Sequence, residues 1–295
     1  MRPFFENNVL QQQPFKPMII VVDTTKAGSA SNTFVLPIIK DTTETVKIYW
    51  GDGTNSTGVT GNNTHVYAVG GIYTIEIESR LFGGIYFNNL GDKAKITKIA
   101  NYGQGVSRLN IGSFFGCSSL LSIDIGNIVS NGADATNQYR GCTALTTVPL
   151  LNLSSVTNAF AMFAYCAALT TVPLLNLSSV TNASSMFTDC TSLTTIPLLD
   201  LSSVTNATNM FRNCTSLTTI PLLDLSSVTD ATNMFTGVTL TTQSYSDFLI
   251  NLATLPLQSG VSFHGGNSKY NPTAAIARAY LISNFGWTIT DGGAA

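Results

Sequence analysis

A period of 24 residues constrains this chain more than any other feature. Cys142, Cys166, Cys190 and Cys214 recur at that interval, and Cys117 precedes them by 25. The unit is clearest from Cys190, CTSLTTIPLLDLSSVTNATNMFRN, and returns nearly letter for letter from Cys142, Cys166 and Cys214. The copy at Cys117 is degenerate, and Val238 stands where the next cysteine would fall. A fixed period of this length calls for stacked units, because one unit cannot bury its apolar face alone.

Each unit divides into two halves. Leu193-Thr-Thr-Ile196-Pro-Leu198 has the L-x-x-L-x-L form of a leucine-rich repeat, which suits a short strand facing the core. Ala207, Met210, Phe211 and Cys214 follow at offsets 0, 3, 4 and 7, the apolar stripe of a short helix, with Ser202, Ser203 and Thr205 as candidate N-caps. Strands pack about 4.8 Å apart and helices about 8–10 Å, so the strand side is expected to be concave. Pro149, Pro173, Pro197 and Pro221 fall inside the strands and limit them to two or three residues.

The remaining chain divides around this stretch. Residues 1–16 show no periodicity and read either as a disordered tail or as an extended arm anchored on a partner by Phe4, Phe5 and Phe15. Residues 17–80 hold MIIVVDT, TFVLPI, TVKIYW, THVYAV and IYTIEIES, separated by turn residues, which predicts a small β-sandwich. Residues 81–116 form a glycine-rich junction and N-terminal cap, 117–237 the repeat stack, and 238–295 a C-terminal cap. In that cap, Tyr245 to Leu255 is helical in pattern. A second helix runs from Pro272 to Phe285 and stops at Gly286, before a strand at Trp287-Thr-Ile289. The fold class expected is mixed: an immunoglobulin-like all-β sandwich, then an α/β leucine-rich-repeat-type solenoid.

Two resemblances accompany these readings. Trp50-Gly-Asp52-Gly53, His65-Val-Tyr67 and Gly71-Ile-Tyr73-Thr-Ile75 resemble the W-G-D-G and H-x-Y-x-x-x-G-x-Y-x-V marks of a PKD domain. The C-x-x-L and V-T-N-x-x-x-M-F marks, as in Val204-Thr-Asn206 with Met210-Phe211, resemble the BspA-like bacterial surface repeats. That class is also catalogued as a domain of unknown function in mycoplasma lipoproteins. The resemblance implies adhesion or recognition without catalysis. Gly260-Val-Ser-Phe-His264-Gly-Gly-Asn-Ser-Lys269-Tyr resembles the ending of repeat proteins in phage tail and appendage genes.

Composition excludes several functions. Charged residues make up 10% of the 295, and between Arg108 and Arg212 the only basic residue is Arg140. Nucleic-acid binding, which rests on lysine and arginine, is not expected. No apolar run approaches the roughly 20 residues of a membrane span, and MRPFFENNVLQQQPFKP lacks the apolar core of a signal peptide. Either the protein is not secreted by that route or the sequence begins after processing, and Met1 favours the first.

The five cysteines are odd in number, lack a C-x-x-C pair and sit among apolar residues, so free buried thiols are expected rather than disulfides or zinc. His65 and His264 lie in different modules, and Asp52 with His65 reads as a turn aspartate and a strand histidine. Asp200 and Asp224 align with the uncharged Asn152 and Asn176, which marks them as turn residues and leaves no acid pair for a glycosidase. Neither catalysis nor a cofactor is expected.

What remains is surface. Thr147, Thr171, Thr195 and Thr219 form one row and Leu151, Leu175, Leu199 and Leu223 another. A third row comprises Asn158, Asn182, Asn206 and Asp230. These rows either stabilise the stack or present a weakly charged face to a polysaccharide or a protein. The expected setting is a phage virion appendage that binds a host surface or neighbouring virion proteins, and the alternative is a bacterial surface adhesin. Association with further copies of the chain stays open. Residues 1–16 cannot bury enough of their own surface to offset their ordering entropy. Deleting them is expected to leave thermal unfolding nearly unchanged while preventing incorporation into the particle. Comparing the melting curve with recovery in purified virions tests this, and normal incorporation would refute the anchor.

Overall fold

The computed structural model describes residues 16–39, 46–79, 84–102, 113–124 and 133–295. Phe4, Phe5 and Phe15 lie outside these residues.

The repeats form a column of stacked coils, but not the expected α/β solenoid. Among the described residues there is no α-helix before Thr242, and the stretch from 133 to 241 contains turns and isolated bridges in place of strands. The helical stripe fails for a backbone reason. Ser185, Asp189, Asn209 and Asn213 adopt φ of 57°, 59°, 57° and 58°, so each coil carries two left-handed residues four apart within the stripe. An α-helix tolerates no such residue, whereas Asn, Asp and Gly adopt it at least cost.

The hydrogen bonds follow from this geometry. The amides of Ala183, Ser185, Phe187 and Asp189 donate to the carbonyls of Asn206, Thr208, Met210 and Arg212 in the next coil, at 2.8–3.0 Å. The intervening amides of Met186, Thr188 and Cys190 close tight turns onto Ala183, Ser185 and Phe187. Alternate amides thus serve the coil and the stack. On the proline-bearing side Thr194 donates to Thr170 O, and at the entry to the turns Thr205 donates to Thr181 O. Both sides are held at hydrogen-bond spacing, so the disparity that predicts a concave strand face is absent. The prolines fit because regular pairing has shrunk to single bridges, Thr147↔Thr171 and Thr171↔Thr195.

The coil interior is an aromatic column. Phe114, Tyr139, Phe163, Phe187, Phe211 and Phe235 stack with centroids 5.4–6.0 Å apart and planes within 9° of parallel. Beside it run the cysteines, all five free and buried. The thiols of Cys166, Cys190 and Cys214 donate to Tyr139 O, Phe163 O and Phe187 O in the preceding coil, at 3.1–3.2 Å. Burial pushes these thiols well above their usual pKa, which suppresses the reactive thiolate.

The N-terminal region is β-structure, but not a self-contained sandwich. Strands β1 (Met18–Asp23), β2 (Thr33–Leu36), β3 (Val46–Tyr49), β4 (Asn55–Val59), β5 (Asn63–Val66) and β6 (Ile72–Glu78) are followed by β7 (Ile96–Tyr102) and β8 (Ser122–Ile123). One sheet runs β4-β3-β6-β1-β7-β8, and β2 and β5 form a second. The main sheet therefore extends through β7 into β8, which pairs parallel to it within the first coil. The sheet and the column share one core. β7 breaks the alternation that would reveal it, because register shifts in its pairing with β1 leave Ile96 and Ile99, three apart, both buried. Buried Lys95 ties this strand to the loop after β1 through Ser29, Ala30 and Thr33, at 2.7–3.1 Å, with Asp92 beside it at 3.8 Å.

The C-terminal region closes the other end. Helix α1 (Thr242–Leu252) is capped by Thr241. Helix α2 (Pro272–Phe285) is capped by Asn271 and ends at left-handed Gly286. Strand β9 (Ser262–His264) takes the place of a further coil, with Ser262 O and His264 O accepting from Ala231 and Phe235, and β10 (Thr288–Thr290) pairs parallel to it. Phe248 and Phe263 meet Phe235 nearly edge-on at 6.2 Å and end the aromatic column.

Phe187→Ala in mid-column is expected to cost about 3–5 kcal/mol. Asn209→Val, which forces a β-branched residue to positive φ, is expected to cost about 1–2 kcal/mol although it removes no core contact. Urea unfolding of both variants checks the two magnitudes. A neutral Asn209→Val would contradict the left-handed turn.

Candidate binding face

The segment Thr146-Thr147-Val148-Pro149-Leu150-Leu151 and its copies form one side of the column. Val148, Leu151 and Leu153 point inward, while Thr146, Thr147 and Leu150 face out. The expected threonine row is on the surface, with Thr147, Thr171, Thr195 and Thr219 all exposed. Their neighbours Thr170 and Thr194 donate at 3.2 Å to Thr146 O and Thr170 O and so secure the stack.

The leucine row requires correction. Leu151, Leu175, Leu199 and Leu223 are buried in the core. The exposed row is one residue earlier, with Leu150, Leu174, Leu198 and Leu222 at 67%, 61%, 59% and 51%. The cause is the proline step. Val148 and Leu151 are three apart, so the side chains do not alternate through the corner and the second leucine turns inward. An adjacent pair of leucines carries no signal of which one the corner buries.

The exposed row ends against α1. Thr241 N donates to Thr218 O at 2.8 Å, so the helix begins where the next coil would place its threonines. Ser244 Oγ accepts from Ile220 N at 3.0 Å and fixes the first turn. Between the last coil and α1 lies an open groove of about 710 Å³. Pro221 and Leu222 line one side, and Gln243, Asp247, Asn251 and Thr254 the other. Gln243 donates to Asp247 at 2.8 Å. Sequence reasoning placed the helix but missed the groove, whose two walls come from segments about one coil apart.

The other polar rows are structural. Asn182 Oδ1 accepts from Ser184 N at 3.0 Å, its Nδ2 donates to Asn158 at 3.0 Å, and Asn206 Oδ1 accepts from Thr208 N at 3.0 Å. Asp200 and Asp224 accept from the amides of Ser202 and Ser226 and shape turns. The hydrogen bonds from Ser202 lower the Asp200 pKa. His264 Nδ1 accepts from Gly266 N at 3.0 Å. Among the described residues no group of three or more His, Cys, Asp or Glu is placed to hold a metal ion, and no helix is long and apolar enough to cross a membrane.

Asp52 and His65 do pair, at 2.7 Å. The His65 ring stacks on Trp50 at 4.7 Å and meets Tyr67 edge-on at 4.4 Å. Tyr67 in turn donates to Trp50 O at 3.0 Å. The pair therefore joins the Asp52 turn to β5 within an aromatic cluster.

Residues 133–248 match the family described as a Mycoplasma protein of unknown function, DUF285. The similarity read from the repeat marks is thus present over the coils and the start of α1. No curated protein and no solved structure matches the chain.

Burial pushes the Asp52 carboxyl up, but hydrogen bonds from Thr54 and His65 outweigh it and bring the pKa down to about 2. A depressed carboxylate pKa stabilises the fold above the unfolded value of about 3.9, and that contribution is lost as pH falls toward the folded value. Asp52→Asn is accordingly expected to flatten the loss of melting temperature between about pH 5 and about pH 2.5. An acid limb as steep as in the parent protein would contradict the assignment.

Proposed function

We propose that this chain is a non-enzymatic recognition protein whose threonine and leucine face docks on another surface. One observation carries the reading: Leu150, Leu174, Leu198 and Leu222 are exposed in register on four successive coils, beside exposed threonines and with no charged residue between the rows. Exposed apolar patches of this regularity mark interaction sites more often than they occur idly. A weakly charged face adapts to a neutral partner and leaves no basis for nucleic-acid binding.

The setting we propose is a phage particle, with the chain on a tail or capsid appendage facing a host surface and held to neighbouring virion proteins by residues 1–16. The motifs of the repeats, the PKD-like marks between Trp50 and Ile75 and the C-terminal phrase support that setting. A second reading, a bacterial surface adhesin of the BspA-like class, has the family match over residues 133–248 on its side.

Mass spectrometry of purified virions and of bacterial envelope fractions separates the two settings. The proposal expects the chain in particles, and its presence in envelopes alone would reverse the order. Recognition itself is tested by Leu174→Asp, which puts a charge on the face without entering the core. The variant is expected to fold normally and to lose retention on the target surface about tenfold or more, as for loss of a central apolar anchor. Unchanged retention would remove the face from consideration.

A further inference from the structure

From the open groove between the last coil and α1, we infer that the recognition face has a directional site for a neutral, hydroxyl-rich linear chain, an extended glycan. The glycan runs along the leucine row and ends against the polar wall of α1. The inference rests on the reading of the repeat face as a binding face, and it adds a second site, a ligand class and an orientation.

Three observations converge on this site. The leucine row is continuous with the groove, because Leu222 both ends the row and lines the groove. The opposing wall is polar in register: Gln243, Asp247 and Asn251 recur every four residues and so share one face of α1. Finally, Asp247 is the single charged residue lining the groove, and it already accepts from Gln243.

These features select among ligands. An apolar floor with a few convergent amide, carboxylate and hydroxyl groups is the composition of a small-ligand site. Amide and carboxylate side chains on one face offer paired donors and acceptors to vicinal hydroxyls. Anionic polymers are disfavoured, because the groove has a carboxylate and no lysine or arginine. An extended peptide would dock best on an unpaired strand edge, whereas among the described residues no strand runs along the leucine segments. Coils bridged at strand spacing, about 4.8 Å, present Thr and Leu at regular short intervals, as successive pyranose rings present their faces and hydroxyls.

The intact protein is titrated with three neutral hexasaccharides, a β-1,4-glucan, a β-1,3-glucan and a β-1,4-linked N-acetylglucosamine oligomer, with hexalysine as a cationic comparison. Saturation-transfer NMR and calorimetry report binding. At least one hexasaccharide is expected to bind. Leu222→Asp and Asn251→Ala are each expected to weaken it about tenfold, the scale of one lost hydrogen bond or apolar contact. Ile276→Asp, on the 76% exposed outer face of α2, is expected to leave binding unchanged. Circular dichroism confirms folding of each variant, and any variant that unfolds is replaced by Leu222→Ser or Asn251→Ser at the same position. Binding that survives both groove substitutions overturns the site. Failure of all three hexasaccharides, or tighter binding of hexalysine, overturns the ligand class. If Leu174→Asp still abolishes retention on the target surface, that failure leaves the recognition face itself standing.

Discussion

The structure depends on how backbone amides are shared between coils. In each repeat, alternate N–H groups close tight turns while the others reach the next coil. The arrangement needs two left-handed residues per coil, four apart, which the chain meets with Asn137, Asn209, Asn213 and Asn233, with Asp189, and with Gly141 and Gly237. Where Ala161, Tyr165 and Ser185 occupy those places, the neighbouring coils hold them in the same geometry. A buried amide without a partner is costly, so the alternation is self-enforcing: relaxing one coil toward helix would strand the donors aimed at its neighbour. The aromatic column and the flat outer face both follow from this hydrogen-bonded spacing.

A stack of this kind has two exposed ends, and each is closed by different chemistry. At the N-terminal end the first coil contributes β8 to a six-stranded sheet, so the repeats grow out of that sheet without a seam. At the C-terminal end β9 accepts the last ladder bonds while Phe248 and Phe263 cover Phe235. The new edge, β10, is protected in turn. Arg278 donates to Ile289 O at 3.0 Å and pairs with Asp291 at 2.8 Å, and Asp291 also accepts from Tyr245. A side chain thus occupies a carbonyl that could otherwise recruit another strand. The same closure creates the groove, because α1 rises where a further coil would have continued the face.

Charge is distributed unevenly along the chain. Ion pairs lie in the flanking regions, Lys95–Asp92 and Lys98–Asp124 toward the N-terminus and Arg278–Asp291 toward the C-terminus. Between them no charged residue separates the threonine row from Leu150, Leu174, Leu198 and Leu222, and Asp200 and Asp224 follow two residues beyond Leu198 and Leu222. Hydroxyls and amides elsewhere on the coils are engaged in holding neighbours together, as with Asn182 on Asn158. The exposed leucines Leu150, Leu174, Leu198 and Leu222 instead face solvent.

The 24-residue period, the inward set of Leu, Val, Met, Phe and Cys, and both C-terminal helices, the second with its start at Pro272 and its stop at Gly286, were legible in the sequence. Each depends on local spacing or on a residue's intrinsic backbone preference, and these carry over to the fold unchanged. The path of the backbone between those positions was not legible. Ala207, Met210, Phe211 and Cys214 have helical spacing, yet they line up inward through two left-handed turns, because bonds to residues 23 positions ahead outweigh local helix propensity. The left-handed positions themselves were signalled by Asn209 and Asn213, but only in hindsight of those long-range bonds. Likewise β7 hid its strand behind a bulge, and the leucine pairs hid which member is buried. These outcomes, and the groove at α1, were decided by tertiary structure: stacking imposes donors, corners and end caps that no single repeat contains.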